Sequence, residues 1–481
     1  RAQEDEGQAA PQAQGRLSPS GGSMEVDTIA AVSTAPGPGA VALVRMSGPE
    51  SGRFLRLLAP RLEVLPEPRR VTLVELRDPQ DGELLDRVLA TFYAGPASYT
   101  GEDVVEISCH GGALVPELIL EACVRAGARR ADPGEFTRRA YLRGKVDLLQ
   151  AEAVADLVQA RSRALHRAAL TQLDQGLSAR VAALREALVH MEALLVHHID
   201  FPEEDEPPVP TERILKEAEA LLRDIDVLLA TAPEGELLRE GALAVLAGRP
   251  NAGKSSLYNA LLGEERAIVT EEPGTTRDAL VASVELGGFP FRLVDTAGLR
   301  EAGERVERIG IEVTRRYLER ADVVLLCCPC DAEVSEAERA FLRETGRVPI
   351  VWIRTKADLE RPNGTGVDAD DVVGVAATMR VSVETGEGLE GIRRVLPELV
   401  YAGVVTASPD APVLTRSRHR RGLETARSEV EAFRVALAGG LPAEVAASHL
   451  HPAETALEEV LGTISTEAVL DVVFAEFCVG K

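Results

Sequence analysis

The chain is poor in aromatic residues, which fill 4% of its 481 positions and include a single tryptophan. Its core must therefore be aliphatic, and surfaces that work by aromatic stacking are scarce. Cysteine is also scarce, six in all and irregularly spaced, which argues against a disulfide-stapled secreted scaffold. No stretch approaches the roughly 18 consecutive apolar residues of a membrane-spanning helix, so no such span is expected. Positive charge is in deficit, with 53 Lys+Arg against 77 Asp+Glu and a formal net charge of −24. A surface basic all over is excluded, and a nucleic-acid partner has to be met by a local basic patch.

What is present divides into segments. A length of 481 residues predicts about three domains, at roughly 100–200 residues each. Residues 1–23 are rich in Gln, Ala, Pro, Gly and Ser and read as a disordered leader. They lack the apolar core of a secretory signal, and Glu4, Asp5 and Glu6 argue against an acid-poor transit peptide. Residues 24–142 mix strand-like runs (40–48, 69–76, 86–94 and 102–112) with helical stretches at 50–58 and 114–126, an α+β pattern. Residues 143–240 read as helical. Within them Leu177, Val181, Leu184, Leu188, Met191 and Leu195 step by fours and threes, which predicts a helix with one apolar seam. Residues 241–402 alternate strand and helix, an α/β domain, and residues 403–481 return to a helical pattern. The predicted architecture is a multidomain α/β plus α chain, with an α/β unit inserted into a discontinuous helical domain.

The chemistry concentrates in 241–402. Gly248-Arg-Pro-Asn-Ala-Gly-Lys254-Ser255-Ser256 follows a strand and opens a helix, the context a phosphate-binding loop requires. Backbone N–H groups of Asn251, Ala252, Gly253 and their neighbours would cradle phosphates, Lys254 would reach the β- and γ-phosphates, and the Ser255 hydroxyl would ligate Mg²⁺. Asp295-Thr296-Ala297-Gly298 follows a second strand, its aspartate placed for the Mg²⁺ shell and its glycine for the γ-phosphate. Thr355-Lys356-Ala357-Asp358 follows a third. A carboxylate at Asp358 accepts from N1–H and the 2-amino group of guanine, donors that adenine lacks, so the site selects GTP. Thr355 stands where the usual pattern N-K-x-D has asparagine, a change expected to loosen the base loop without altering its preference. Ser382-Val383-Glu384 occupies the position of the supporting guanine loop, and it matches that loop's usual pattern poorly. Between these lies Thr270-Glu271-Glu272-Pro273-Gly274-Thr275-Thr276, a candidate switch whose Thr276 would complete the Mg²⁺ shell only with the γ-phosphate present. Ras-like GTPases carry a water-orienting glutamine directly after D-x-x-G, but here the residue is Leu299.

The strings GRPNAGKSS, PGTTRD and DTAGLREAGERVERIGIE, together with the C-terminal FCVGK, resemble the tRNA modification GTPase family MnmE, also called TrmE. The segments DTIAAVSTAPGPGAVALVRMSG, YTGEDVVEISCHGG and DPGEFTRRAYLRGKVDLLQAEAVADLV resemble it as well, so the likeness covers about 24–481. The resemblance implies an N-terminal folate-binding and dimerising domain, a discontinuous helical domain and an inserted Ras-like GTPase domain, in a cytoplasmic homodimer. It implies work with an FAD-dependent partner, MnmG, to add an aminomethyl or carboxymethylaminomethyl group to C5 of the wobble uridine, U34, of certain tRNAs. The one-carbon donor would be 5,10-methylenetetrahydrofolate or 5-formyltetrahydrofolate. It further implies K⁺-stimulated GTP hydrolysis, with Asn251 and oxygens at Thr270, Glu272 and Thr275 holding the cation. Glu307 would orient the attacking water, with Lys254 and Thr276 completing the catalytic set. Arg45, Glu106, Lys145 and Lys481 match folate contacts, and Cys478 matches the family's C-terminal cysteine, whose role stays open.

Two rival readings share part of these motifs: a GTPase of ribosome assembly, and a scaffold regulated by folate and GTP without carbon chemistry of its own. Cys327, Cys328 and Cys330 are expected as small buried core residues rather than zinc ligands. His197 and His198 are expected to face other helices or solvent. Two basic clusters, Arg125, Arg129, Arg130, Arg138, Arg139 and Arg143, and Arg416, Arg418, His419, Arg420 and Arg421, are where tRNA phosphate contacts are sought, although charge runs are more often solvated faces.

Overall fold

The structure is a computed structural model that describes residues 27–200, 209–263, 281–295, 317–331, 335–336, 338–339, 341, 348–359, 375–406, 408 and 411–481, with side chains 196–200 left out. The chain forms two compact units, one of residues 1–151 and 462–481, the other of residues 152–461.

The first unit is built on a six-stranded sheet. Its strands are β1 (Ile29–Val32), β2 (Val41–Ser47), β3 (Thr72–Arg77), β4 (Leu84–Tyr93), β5 (Val104–His110) and β6 (Arg129–Arg130). The spatial order is β3-β4-β5-β2-β1-β6, antiparallel throughout except for β1 beside β6. Alternation fixes the faces: Val74, Leu76, Val88, Ala90, Val105, Ile107, Val44 and Met46 are buried under helices α1 (Ser51–Leu58) and α2 (Leu114–Ala126). The residues between them, among them Arg45, Glu106, Arg87 and Leu73, stand on the opposite face. Helix α3 (Glu135–Leu142) brings Phe136 onto that opposite face beside Ile29 and Ala31.

The four strands and two helices expected between residues 40 and 126 are all present within a few residues of their predicted ends. Residues 462–481, the last part of the chain, pack with the first unit. Their helix, Glu467–Ala475, is capped by the Thr466 hydroxyl, and Val479 forms a bridge with Pro133.

The second unit begins within helix α4 (Leu148–Gln159) and continues through α5 (Arg163–Leu173), α6 (Gly176–Asp200), α7 (Thr211–Leu229) and α8 (Ala232–Glu240). All six seam residues of α6 are buried at 3% exposure or less. A parallel sheet follows: β7 (Ala242–Ala247), β8 (Val281–Leu286), β9 (Phe289–Asp295), β10 (Val323–Pro329), β11 (Ile350–Thr355) and β12 (Ala377–Arg380). Its order is β12-β11-β10-β7-β9-β8, with β8 alone antiparallel, as in a Ras-like GTPase fold. Central strand β7 is buried at every position, as a sheet covered on both faces requires. Helices α9 (Lys254–Gly263) and α10 (Leu389–Val400) give Leu257, Leu261, Ile392 and Leu396 to one layer, while Trp352, Val324 and Leu326 fill the other. The chain then returns to helices α11 (Ser417–Ala438) and α12 (Leu450–Leu461), which pack on α7 and α6.

Tyr401 closes the inserted sheet at its base. Its buried hydroxyl accepts from Ala242 N–H at 3.1 Å, lies 2.7 Å from the Pro290 carbonyl and reaches Leu237 O at 3.1 Å. One side chain thus joins the starts of β7 and β9 to the last turn of α8.

Candidate functional site

The loop between β7 and α9 takes its shape from backbone constraints. Gly248 has φ +134°, and a Cβ there would lie 2.3 Å from the Cys327 carbonyl oxygen, so no other residue fits without moving β10. Asn251 adopts φ +61° and is exposed. The buried Lys254 ammonium turns back on the loop and donates to the carbonyls of Gly248 and Arg249, both at 2.9 Å. Ser255, next along α9, donates its hydroxyl to Asp295 Oδ2 at 2.5 Å. Asp295 ends β9 and is buried. A hydroxyl and a carboxylate meeting at the start of a helix form an all-oxygen donor pair of the kind Mg²⁺ takes, beside a cation and a helix N-terminus that suit phosphate.

The Thr355–Asp358 segment lies at the end of β11. The buried Thr355 hydroxyl donates to the Ala252 carbonyl at 2.6 Å. This corrects the expectation that threonine here loosens the loop, because the side chain ties it directly to the phosphate loop. Lys356 has φ +56°, and Ala357 N–H donates to Val381 O. Asp358 is exposed, and its Oδ1 accepts from the fully buried Ser382 hydroxyl at 2.6 Å. Ser382 in turn accepts from Thr385 N–H, while Val383 and Glu384 are exposed. The weakly matching S-V-E segment therefore aims the Asp358 carboxylate.

Several expected residues lie outside the described ones: Thr270, Glu271, Glu272, Pro273, Gly274, Thr275, Thr276, Thr296, Ala297, Gly298 and Glu307.

Cys327 and Cys328 are buried on opposite faces of β10, with Cys330 partly exposed. Burial pushes the Cys327 thiol up to about 12, so it stays protonated at neutral pH.

The first unit brings together three of its four candidate residues. Arg45 on β2 and Glu106 on β5 are register partners, joined by Nη2–Oε1 at 2.7 Å and Nε–Oε1 at 3.0 Å. Tyr93 on β4 donates to Glu106 Oε2 at 3.4 Å, and the guanidinium stands 5.7 Å from the ring centres of both Tyr99 and Phe136. The C-terminal segment reaches the same place. Arg45 Nη1 donates to Gly480 O at 3.4 Å, and the Ser33 hydroxyl to the same oxygen at 3.1 Å. Burial, with Arg45 close by, lowers the Lys481 ammonium from its ordinary value. Lys145 instead donates to the Pro96 carbonyl at 3.0 Å. A carboxylate between two cations, walled by aromatic rings, fits an anionic ligand with a polar ring edge. Cys478 is exposed three residues from the chain end.

The two basic clusters are not open faces. Arg139 is buried and bonded to Asp27, Glu102 and Glu135, Arg143 meets Glu102 at 2.5 Å, Arg125 meets Asp78, and Arg129 meets Asp27 and Glu135. In the second cluster Arg416 holds the buried Asp156 at 2.6 Å, while Arg418 and His419 both hold the buried Glu152, at 2.8 and 2.6 Å. Arg139, Arg416 and Arg418 thus answer buried carboxylates, while Arg130 and Arg421 stay exposed. His419 is fully buried, which nothing in its polar neighbourhood in sequence announced.

Residues 28–145 match the family described as GTP-binding protein TrmE N-terminus, and residues 148–478 match the MnmE helical domain. The chain is 40% identical over 464 residues to the tRNA modification GTPase MnmE of Moorella thermoacetica, covering 95% of this chain and 99% of that protein. It is 41% identical over 466 residues to the protein of the same name from Neisseria meningitidis, with the same coverage. Among solved structures it is similar to the G-domain of FeoB from Methanococcus jannaschii, at 24% identity, 34% of this chain, 98% of that chain and a TM-score of 0.26.

Proposed function

The chain belongs to the MnmE family of tRNA modification GTPases, and from that premise we propose that it couples K⁺-stimulated GTP hydrolysis to one-carbon modification of the wobble uridine. In this reading it acts as a cytoplasmic homodimer with an FAD-dependent MnmG-type partner and adds an aminomethyl or carboxymethylaminomethyl group to C5 of U34. The single observation that carries the folate part is the meeting of the chain's last two residues, Gly480 and Lys481, with the Arg45–Glu106 pair on the open sheet face. Lys481 and Arg45 would hold the folate carboxylates, and Glu106 would accept from the N–H groups of the pterin edge. The bound tetrahydrofolate supplies the one-carbon unit.

In the GTPase unit Lys254 would neutralise the β- and γ-phosphates, and Ser255, with Asp295 behind it, would face Mg²⁺. Asp358, aimed by Ser382, would accept from guanine. Thr276 would complete the Mg²⁺ shell. Asn251, with Thr270, Glu272 and Thr275, would hold K⁺ where an arginine finger acts in other GTPases, and Glu307 would orient water.

The test begins with GTP hydrolysis in KCl and in NaCl at equal ionic strength. A large K⁺-specific stimulation that disappears in Asn251→Lys is expected, and equal slow rates would sink the cation reading. The purified protein is then incubated with the partner, tRNA, GTP and labelled methylenetetrahydrofolate. Label at U34 that is lost in Arg45→Ala is the expected result. Label that persists in Arg45→Ala overturns the assigned site, and GTP turnover with no label supports the scaffold reading.

A further inference from the structure

Most arginines of the two basic clusters are held by carboxylates and the formal net charge is −24, so RNA needs a local patch of exposed guanidinium groups. At the outer edge of the first unit's sheet three arginines converge on one carboxylate. Glu75 of β3 takes Arg61 at 2.9 Å, Arg87 of β4 at 3.2 Å and Arg77 at 3.5 Å. Arg61 and Arg87 are 75% and 69% exposed, whereas Glu75 is 20% exposed. One carboxylate cannot occupy three guanidinium forks, so two positive charges remain and most of their N–H donors face water. Two neighbouring acids are committed elsewhere: Asp86 accepts from the His110 backbone and ring at 2.9 and 2.7 Å, and Asp78 binds Arg125 at 2.5 Å. A cavity of about 350 Å³ lies among Arg61, Arg87 and Glu75, with Leu62 and Leu73 in its lining.

We infer that this arginine triad is a contact for the RNA phosphodiester backbone. The inference rests on the tRNA reading above. Exposed guanidinium–carboxylate pairs are weak, so Arg61 and Arg87 can exchange Glu75 for phosphate oxygens at little cost, and the guanidinium fork suits phosphate. The exposed Leu73 and Leu89, directly paired across β3 and β4, give the adjoining surface an apolar character suited to ribose or a base. Arg87 stands on the same sheet face as Arg45, two strands and four residues away by register, which is roughly 16 Å. RNA held at the triad therefore runs within a few nucleotides of the Arg45–Glu106 pair.

The test uses the full chain and fluorescence anisotropy with a labelled tRNA carrying U34, read across 50 to 200 mM KCl. Arg61→Gln/Arg87→Gln should weaken binding about 50-fold at 100 mM salt and lower the log–log salt slope by about two. Arg61→Lys/Arg87→Lys should keep most of the affinity, and an unchanged melting transition in each variant shows that the fold is intact. Binding by the wild type that the Gln pair leaves untouched overturns the triad alone. Absence of tRNA binding by the wild type overturns the triad and the tRNA reading together. A Gln pair whose RNA-free sedimentation changes assigns the face to contact between copies and overturns the RNA assignment.

Discussion

The Thr355 hydroxyl reaches the Ala252 carbonyl, 2.6 Å away and buried, so the Thr355–Asp358 segment and the phosphate loop share one hydrogen bond. Thr355→Val keeps the shape and leaves that carbonyl without a donor, a loss of about 2 kcal/mol. Because Ala252 belongs to the loop that holds both nucleotides, GTP and GDP should weaken together, each roughly 30-fold. Thr355→Ser should restore most of the affinity. Titration with fluorescent GTP and GDP analogues checks this, and a loss confined to one nucleotide would contradict it.

The Ser382–Asp358 hydrogen bond separates the carboxylate proposed to read the base from the hydroxyl that aims it. Asp358→Asn replaces an acceptor with an amide, so the preference for GTP over ATP should fall by about 2 kcal/mol or more. Ser382→Ala leaves the carboxylate present but unaimed, and the preference should fall by about 1 kcal/mol. Competition binding with ATP ranks the two. Equal discrimination in wild type and Asp358→Asn would remove Asp358 from base recognition.

Glu152 is buried in the helical part of the second unit, where it holds Arg418 and His419. Burial raises its carboxyl pKa, but His419 and Arg418 outweigh that and hold it below the usual carboxylate range. A carboxyl depressed in the folded state contributes stability above its unfolded value, near 4.3, and that contribution fades as pH falls further toward the folded value. Glu152→Gln should therefore cost about 3 kcal/mol at pH 7, since it leaves Arg418 without its counter-charge and the buried His419 ring without its carboxylate partner. The gap to the wild type should narrow below about pH 4. Urea melts at pH 7 and pH 4 measure it, and a gap that widens with acid would invert the sign argued here.

Periodicity and turn chemistry made much of this fold legible. The α6 seam from Leu177 to Leu195 and the strands from Val41 to His110 follow from short-range pattern, whereas the Ras-like character of the second sheet was legible only through its motifs and the family resemblance. What stayed illegible depends on contacts distant in sequence. Thr355 and Ala252 are 103 residues apart, and His419 and Glu152 are 267 apart. Arg139 and Arg416 sit in runs that look like solvated charge, yet each is buried on carboxylates that no local spacing identifies. Strand β6 is only two residues long, Arg129–Arg130, too short to carry a period.

Gly480 explains how the C-terminus is held, and it supplies a last expectation. Its φ is +95°, and a Cβ there would stand 2.6 Å from the Val32 carbonyl oxygen and 2.8 Å from the Ser33 Cα. Gly480→Ala must therefore shift the last residues away from β1, at a local cost of roughly 1–3 kcal/mol. The shift removes the carbonyl that Arg45 and Ser33 share and carries Lys481 away from Glu106. The core of the first unit lies on the other face of the sheet, under α1 and α2, and is untouched. Folate affinity should drop about tenfold while the melting temperature stays near that of the wild type, a pattern set by a displaced ligand contact worth about 1.4 kcal/mol. Lys481→Ala should reproduce the affinity loss without any backbone shift. Equilibrium dialysis with labelled tetrahydrofolate on both variants decides it. Full affinity in Gly480→Ala would mean that the C-terminal segment packs beside the Arg45–Glu106 pair without contributing to the ligand.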